Sequence, residues 1–208
     1  FKQKTAYEIS RGLVGAEMCI RDRIGVEYDQ ELVELSRKNA TRAGVANLAT
    51  FVTDDLFEVD LSPATVVTMF LLPELNSKLR PRLLALAPGT RIVSNTWDLE
   101  DWEADERAVL DPCPGFCTAL LWIVPARVEG IWVLPNGSLT LSQRFQVVTG
   151  FLRESSGTVQ IRAGQLRGEQ ISFRVGDVDY EGVAAGDVIE GLAETGARSF
   201  DWRATRAH

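Results

Sequence analysis

The run of residues 65–76 constrains the fold more than any other stretch of the chain. It reads Thr-Val-Val-Thr-Met-Phe-Leu-Leu without a charged residue, and Pro73, Glu74 and Asn76 follow at its end. An uncharged run rich in valine and threonine is typical of a strand buried on both faces of a parallel sheet. Ligands of open α/β sheets bind beyond the carboxyl ends of the strands, so we expect these polar residues at the mouth of a ligand site. The same pattern also suits a buried strand that merely leads into a solvated helix start.

The first 23 residues resemble the translation of sequencing-library DNA. Residues 2–9 resemble the direct translation of a short-read sequencing adapter, and residues 17–22 resemble that of a transposon end, in their proper order. We therefore expect residues 1–23 to be a non-native segment, and we exclude them from the prediction of the fold.

The composition is that of an acidic globular chain. It has 208 residues, of which 45% are hydrophobic and 25% charged, with a formal charge of -7. Lys and Arg form no cluster, which argues against nucleic acid as a partner, and no run is long enough to span a membrane. Outside the first segment the cysteines are Cys113 and Cys117, and the single histidine is His208. This set predicts two reduced thiols, no metal site and a cytoplasmic location.

Alternating strand and helix patterns fill residues 24–125. We expect strands over residues 24–27, 48–53, 90–95 and 118–124 beside the central one. A helix capped by Asp29 should run to about Ala43, with Leu32 and Leu35 on its covered face, and a second helix should cover residues 74–86. This order predicts βα units, a parallel sheet and an α/β fold.

From residue 126 onward the pattern changes to alternation broken by turn residues. Asn136-Gly137 predicts a two-residue hairpin loop, and a Gly-x-x-x-Gly-x-x-Ile pattern recurs at residues 164–171 and 182–189. We interpret the repeat as two hairpins of one meander, and we expect residues 126–208 to form an antiparallel sheet or half-barrel. Trp132 and Trp202 fall in the alternation, as core residues or as the lining of a ligand site.

Acidic residues end two successive predicted strands. Glu27 follows the first and Asp55 follows the second. A carboxylate at such a position can accept both hydroxyls of a ribose, and a neighbouring one can accept the exocyclic amine of adenine. Helix capping is the structural alternative for both.

Four segments resemble, in order, motifs of class I S-adenosylmethionine-dependent methyltransferases. They are Ile-Gly-Val-Glu-Tyr-Asp at 24–29, Phe-Val-Thr-Asp-Asp-Leu-Phe at 51–57, the run at 64–76, and Pro-Gly-Thr-Arg-Ile-Val-Ser at 88–94. The third and fourth are most similar to a bacterial group related to the methyltransferases that modify a lysine of the ATP synthase c subunit. A protein lysine is the methyl acceptor that this resemblance suggests.

The resemblance also implies roles for individual residues. S-adenosylmethionine would be the cofactor, bound through Glu27, Tyr28, Asp54, Asp55 and Leu56. The acceptor would lie against Phe70, Leu71 and Pro73, with Glu74 or Asn76 orienting an amine or helping to remove its proton. No metal is implied, and Trp97 and Asp98 receive no catalytic role because residues 95–97 depart from the family pattern.

The family's first strand and its glycine-rich loop should stand just before Ile24, where the adapter-like segment lies. We therefore predict a Rossmann-like methyltransferase sheet lacking its first strand over residues 24–125, in a chain that binds the cofactor poorly. Two other functions stay open: an NAD(P)-dependent Rossmann oxidoreductase, which also uses a strand-ending acid, and a non-enzymatic binding protein that acts through the β module. The sequence does not indicate an oligomeric state.

Overall fold

The structure, a computed structural model, describes residues 23–196 and 198–207. All but the last residue of the segment 1–23 lies outside this range. The chain divides into two compact units between Asp60 and Leu61. The domain boundary predicted near residue 125 falls inside the second unit, between two strands. Within the described ranges, no helix is long and apolar enough to cross a membrane.

The first unit contains a parallel strand pair and one helix. Strand β1 (Arg23–Glu27) pairs with β2 (Ala49–Thr53), and helix α1 (Gln30–Arg42) connects them. Asp29 caps the helix by accepting a hydrogen bond from the Glu31 N–H at 2.8 Å. Gly44, with φ of +71°, follows the helix end. The predicted order of strand, capped helix and strand is therefore confirmed.

The buried face of α1 differs from the prediction. Val33 and Ala40 are buried, whereas Leu35 is 45% exposed. Val33 and Ala40 are seven residues apart and share one stripe of the helix, while Leu35 lies about 200° around the axis from Val33. The prediction that Leu35 faces the sheet is wrong for this reason.

The second unit begins with a four-stranded mixed sheet in the order β3, β4, β6, β5. Its strands are β3 (Val66–Met69), β4 (Arg91–Asn95), β5 (Glu106–Val109) and β6 (Thr118–Ile123). β3 and β4 are parallel, and the other two pairs are antiparallel. Helix α2 (Pro73–Leu83) connects β3 to β4 and buries Leu79 and Leu83.

Two predictions for this region are wrong. β3 is an edge strand in its sheet and not a strand buried on both faces, so Val66 is 37% exposed. β5, for which the sequence pattern predicted no element, is a strand through its antiparallel pairing with β6. Cys113 and Cys117, predicted as reduced thiols, are joined in a disulfide because the loop between β5 and β6 brings their Cα atoms within 5.8 Å.

Residues 130–206 form a closed eight-stranded antiparallel barrel of consecutive hairpins. The strands are β7 (Gly130–Leu134), β8 (Gly137–Arg144), β9 (Val147–Glu154), β10 (Gly157–Arg167), β11 (Gln170–Val175), β12 (Val178–Ala185), β13 (Val188–Thr195) and β14 (Arg198–Arg206). β14 pairs with β7 and closes the barrel. The antiparallel module is therefore confirmed, but it is a full barrel rather than a half-barrel.

The barrel has its own hydrophobic core. Trp132 and Trp202 both belong to it, as the more ordinary of the two interpretations predicts. The turns of β10–β11 and β12–β13 each place a positive-φ glycine, Gly168 or Gly186, in the hairpin loop. The recurring glycine pattern thus corresponds to two hairpins of one meander, as expected.

Candidate functional site

The carboxyl ends of β3 and β4 bring two polar segments to one edge of the four-stranded sheet. The strands are parallel, and Met69 is in register with Ser94. The segment 70–76 and the segment after β4 therefore leave the sheet at the same edge. We call residues 96–103, which follow β4, the β4 loop.

Asn76 lies at this edge and is fully buried. Its Nδ2 donates hydrogen bonds to the carbonyl oxygens of Trp97, at 3.2 Å, and Asp98, at 3.0 Å. Two carbonyls can only accept, so the amide nitrogen must face them and the amide orientation is fixed. Its Oδ1 is buried and has no hydrogen-bond partner among the described residues. A buried acceptor without a donor is costly, and it is suited to an N–H or O–H group of a ligand.

The β4 loop is held by further bonds from α2 and β4. Ser94, fully buried, donates through Oγ to the Trp97 carbonyl at 2.6 Å. Arg80, one helical turn after Asn76, donates to the Leu99 carbonyl at 2.9 Å and forms an ion pair with Asp101. Carbonyl groups of the β4 loop are therefore positioned by side chains from both neighbouring elements.

The other residues predicted to contact the acceptor surround this amide in sequence. Phe70 and Leu71 are half-buried, and Phe70 packs edge-on against Phe116 with ring centroids 5.2 Å apart. Pro73 is the first residue of α2, where its missing N–H costs nothing, and it is exposed. Glu74 is exposed in the first helical turn.

In the first unit, the structure brings the two acidic strand ends together. Glu27 is in register with Thr53, so Tyr28 and Asp54 continue from adjacent strand ends. The Asp54 N–H donates to the Glu27 carbonyl at 3.2 Å. Glu27 is half-buried, whereas Tyr28 and Asp54 are exposed.

These acids also order their own loops, which is the structural role considered for them. Glu27 Oε1 accepts from the Asp29 N–H at 3.1 Å, and Asp55 Oδ1 accepts from the Phe57 N–H at 2.8 Å. Each carboxylate uses one oxygen in this turn contact and can accept further donors through the other. With half-buried Leu56 next to Asp55 in sequence, this edge offers carboxylate acceptors and an apolar side chain, which are the kinds of group that could hold an adenosine.

Sequence patterns did not reveal the part of the site that the β4 loop supplies. They indicated no role for Ser94, Arg80, Trp97 or Asp98, although all of them are tied to the Asn76 region. The available signals were the polar residues directly after β4 and the spacing of four between Asn76 and Arg80 on one helix face. In the described part of the chain, no group of His, Cys, Asp and Glu residues is arranged to hold a metal ion.

Comparison with known proteins places the chain among methyltransferase sequences. A family described as the ANTKMT methyltransferase domain matches residues 10–106. A protein-lysine N-methyltransferase of Saccharolobus islandicus is 41% identical over 88 residues, which are 42% of this chain and 55% of that protein. The adenine nucleotide translocase lysine N-methyltransferase of Mus musculus is 34% identical over 95 residues, 45% of this chain and 42% of that protein.

A solved structure is also similar in sequence. It is an RNA methyltransferase from Salinibacter ruber in complex with S-adenosyl-L-homocysteine, with 45% identity and a TM-score of 0.47. The aligned part covers 51% of this chain and 67% of that one. The chain spans about half the length of the two lysine methyltransferases that it matches.

Proposed function

We propose that this chain, whose α/β residues belong to the class I S-adenosylmethionine-dependent methyltransferases, is part of an enzyme that methylates an amine, with a lysine of a protein as the acceptor. The relatives with curated names are lysine methyltransferases, which supports that acceptor. The comparisons favour methyl transfer over hydride transfer by an oxidoreductase. A bacterial source, a cytoplasmic location and the absence of a nucleic acid partner belong to this proposal as well.

The Asn76 side chain is the observation that carries the proposal. Its amide nitrogen is occupied by two backbone carbonyls, so its oxygen is the group that can meet a ligand. An oxygen acceptor in a buried position can take an N–H of an amine and direct the nitrogen lone pair away from itself. Asn76 would thus orient the acceptor nitrogen, and exposed Glu74 would take up the proton that the amine loses.

The remaining site residues would hold the cofactor and the acceptor's alkyl chain. Glu27 would accept the ribose hydroxyls and Asp55 the adenine amine, with Tyr28, Asp54 and Leu56 beside them. Phe70, Leu71 and Pro73 would contact the aliphatic part of a lysine. S-adenosylmethionine supplies a methyl group on a positively charged sulfur, so the protein needs chiefly to position the two reactants and exclude water.

We further infer that the sheet of the α/β part lacks the first strand of the family. β1 and β3 are edge strands in the described sheets, and β3 leaves Val66 exposed. A parallel strand is normally covered and paired on both sides, which supports a missing neighbour. The glycine-rich loop that follows such a strand would contact the methionine part of the cofactor.

The test is a methyl-transfer assay on two chains. One is the chain with the sequence given. The other, the restored chain, carries in place of residues 1–23 the residues encoded by the source DNA upstream of Ile24. We expect the restored chain to bind S-adenosylmethionine and to transfer labelled methyl to lysine in a basic peptide or protein extract, and the chain with the sequence given to bind it more weakly. Cofactor binding with methylation of RNA alone would contradict the lysine assignment. No cofactor binding by the restored chain would contradict the proposed function.

A further inference from the structure

The β8–β9 hairpin of the barrel ends at a tip, residues 144–146, that contacts the β4 loop. Arg144 Nη2 donates to Asp101 Oδ2 at 2.8 Å, while Arg80 of α2 binds the other oxygen, Oδ1. The hydrogen bond from Arg144, followed by that from Arg80, lowers the pKa of the Asp101 carboxyl below its ordinary value. Asp101 therefore stays ionised and connects the helix that carries Asn76 to the barrel.

Phe145 makes the second contact of the tip. Its ring stacks on Trp102, with centroids 5.8 Å apart and planes inclined by 16°. The guanidinium carbons of Arg80 and Arg144 lie 5.7 and 5.9 Å from the same ring centroid. Phe145 adopts a φ of +54°, which is unfavourable for a residue with a side chain. Contacts of the ring offset this cost, and the stack on fully buried Trp102 is one of them.

Gln146 makes the third contact and anchors the tip in the barrel. It is 5% exposed, and its Nε2 donates to the Glu103 carbonyl at 2.8 Å. Its own carbonyl accepts from the Leu166 N–H of β10 at 2.7 Å. The end of the β4 loop is thereby bonded to a residue that the barrel itself fixes.

The β4 loop is thus held at its start by Asn76 and Ser94 and at its end by the barrel. The carbonyls of Trp97 and Asp98 fix the Asn76 amide, so the order of this loop decides where Oδ1 points. We propose that the tip of the β8–β9 hairpin completes the methyl-acceptor site, with Arg144 and Phe145 as positioning residues that act through Asp101 and Trp102. This inference rests on the proposed function, since it concerns the same acceptor site.

The first experiment needs neither cofactor nor acceptor. Arg144→Gln and Phe145→Gly each remove one contact of the tip, and glycine tolerates the backbone conformation at residue 145. Arg174→Gln is the matched control, because Arg174 forms an exposed ion pair with Asp179 on another barrel hairpin. We expect faster amide hydrogen exchange in peptides covering residues 96–103 for the first two variants and unchanged exchange there for the control. Unchanged exchange in the first two variants would overturn the inference.

The second experiment measures methyl transfer by the restored chain. We expect Arg144→Gln and Phe145→Gly to raise the KM for the acceptor roughly 10-fold while the Kd for S-adenosylmethionine stays constant. Phe145→Tyr, which keeps the ring, should behave like the unsubstituted chain. Faster exchange without a change in acceptor KM would overturn the positioning role. Absence of transfer by the unsubstituted chain would instead count against the proposed function, and the exchange measurement would still decide whether the tip orders the loop.

Discussion

At the scale of single residues, the site depends on the difference between an amide and a carboxylate. Asn76 can donate to two carbonyls and still offer an oxygen, whereas an aspartate at this position could only accept. Both Trp97 and Asp98 carbonyls would then face a negative charge inside the protein. The amide is therefore required by the fold of the β4 loop as well as by the proposed chemistry.

Asn76→Asp should destabilise the protein by about 2–4 kcal/mol at pH 7, because two hydrogen bonds are lost and a charge is buried. Urea denaturation measures the change in the free energy of unfolding. Asn95→Asp is the matched control, since the Asn95 Oδ1 accepts from the Thr96 hydroxyl and a carboxylate can do the same. Equal losses for the two variants would contradict the assigned role of the Asn76 amide nitrogen.

Asp105 allows a prediction about pH. Its half-buried carboxylate accepts from the Ile123 N–H at 2.7 Å, and burial raises its pKa despite that bond and nearby Arg167. A carboxyl whose pKa is higher in the folded state favours folding below its unfolded pKa and loses this contribution as the pH rises through the folded pKa. Asp105→Asn, which keeps an acceptor, should therefore increase stability at pH 7 relative to the unsubstituted chain, and the gain should disappear toward pH 3.

Asp179→Asn should change the free energy of unfolding at pH 7 in the direction opposite to Asp105→Asn. The Arg174 hydrogen bond lowers the pKa of Asp179, so its contribution to folding is present above the unfolded pKa and lost as the pH falls. Urea unfolding between pH 3 and 7 should show a loss of stability for this variant that shrinks on acidification. The same direction of change in both variants would contradict the environment assigned to Asp105.

At the scale of elements, sequence patterns predicted strands and hairpins well but placed some of them wrongly. The capped helix α1 followed from Asp29 and Gly44, which act locally. The Asn136-Gly137 pair predicted a hairpin correctly but not its loop: Leu134 pairs with Gly137, so the loop residues are Pro135 and Asn136. Gly137 instead belongs to β8, where an added Cβ would lie 2.1 Å from the Arg153 carbonyl oxygen, so the close approach of β9 explains the glycine.

Gly137→Ala tests this register. The methyl group would force the Arg153 carbonyl away, so we expect a loss of about 2–3 kcal/mol in the free energy of unfolding. Gly176→Ala is the comparison, since Gly176 has a φ of +57° but open space around its Cβ position. Backbone strain alone should cost about 1–2 kcal/mol there. A Gly137→Ala variant as stable as the original chain would contradict the close approach across β8 and β9.

At the scale of the whole molecule, contacts between segments that are distant in sequence could not be predicted. The position of Glu27 beside the end of β2 was predictable, because parallel strands bring their carboxyl ends to one edge of a sheet. The contact of Arg144 with Asp101 joins residues 43 positions apart and depends on how the barrel lies against the sheet in the second unit. Closure of the barrel likewise depends on pairing between its first and last strands, which alternation along single strands does not reveal.

Barrel closure gives the last prediction. Arg206, at the end of β14, lies over the Trp132 ring at 4.3 Å and donates to the carbonyls of Glu129 and Arg127, each at 2.6 Å. Because the barrel has its own core, residues 126–208 alone should unfold in one cooperative thermal transition, monitored by circular dichroism. Arg206→Ala should lower the stability of this fragment by about 1–3 kcal/mol, since the cation–π contact and both hydrogen bonds are lost. A non-cooperative transition in the unsubstituted fragment would show that the barrel needs the four-stranded sheet to fold, and the β8–β9 tip would then stabilise both parts.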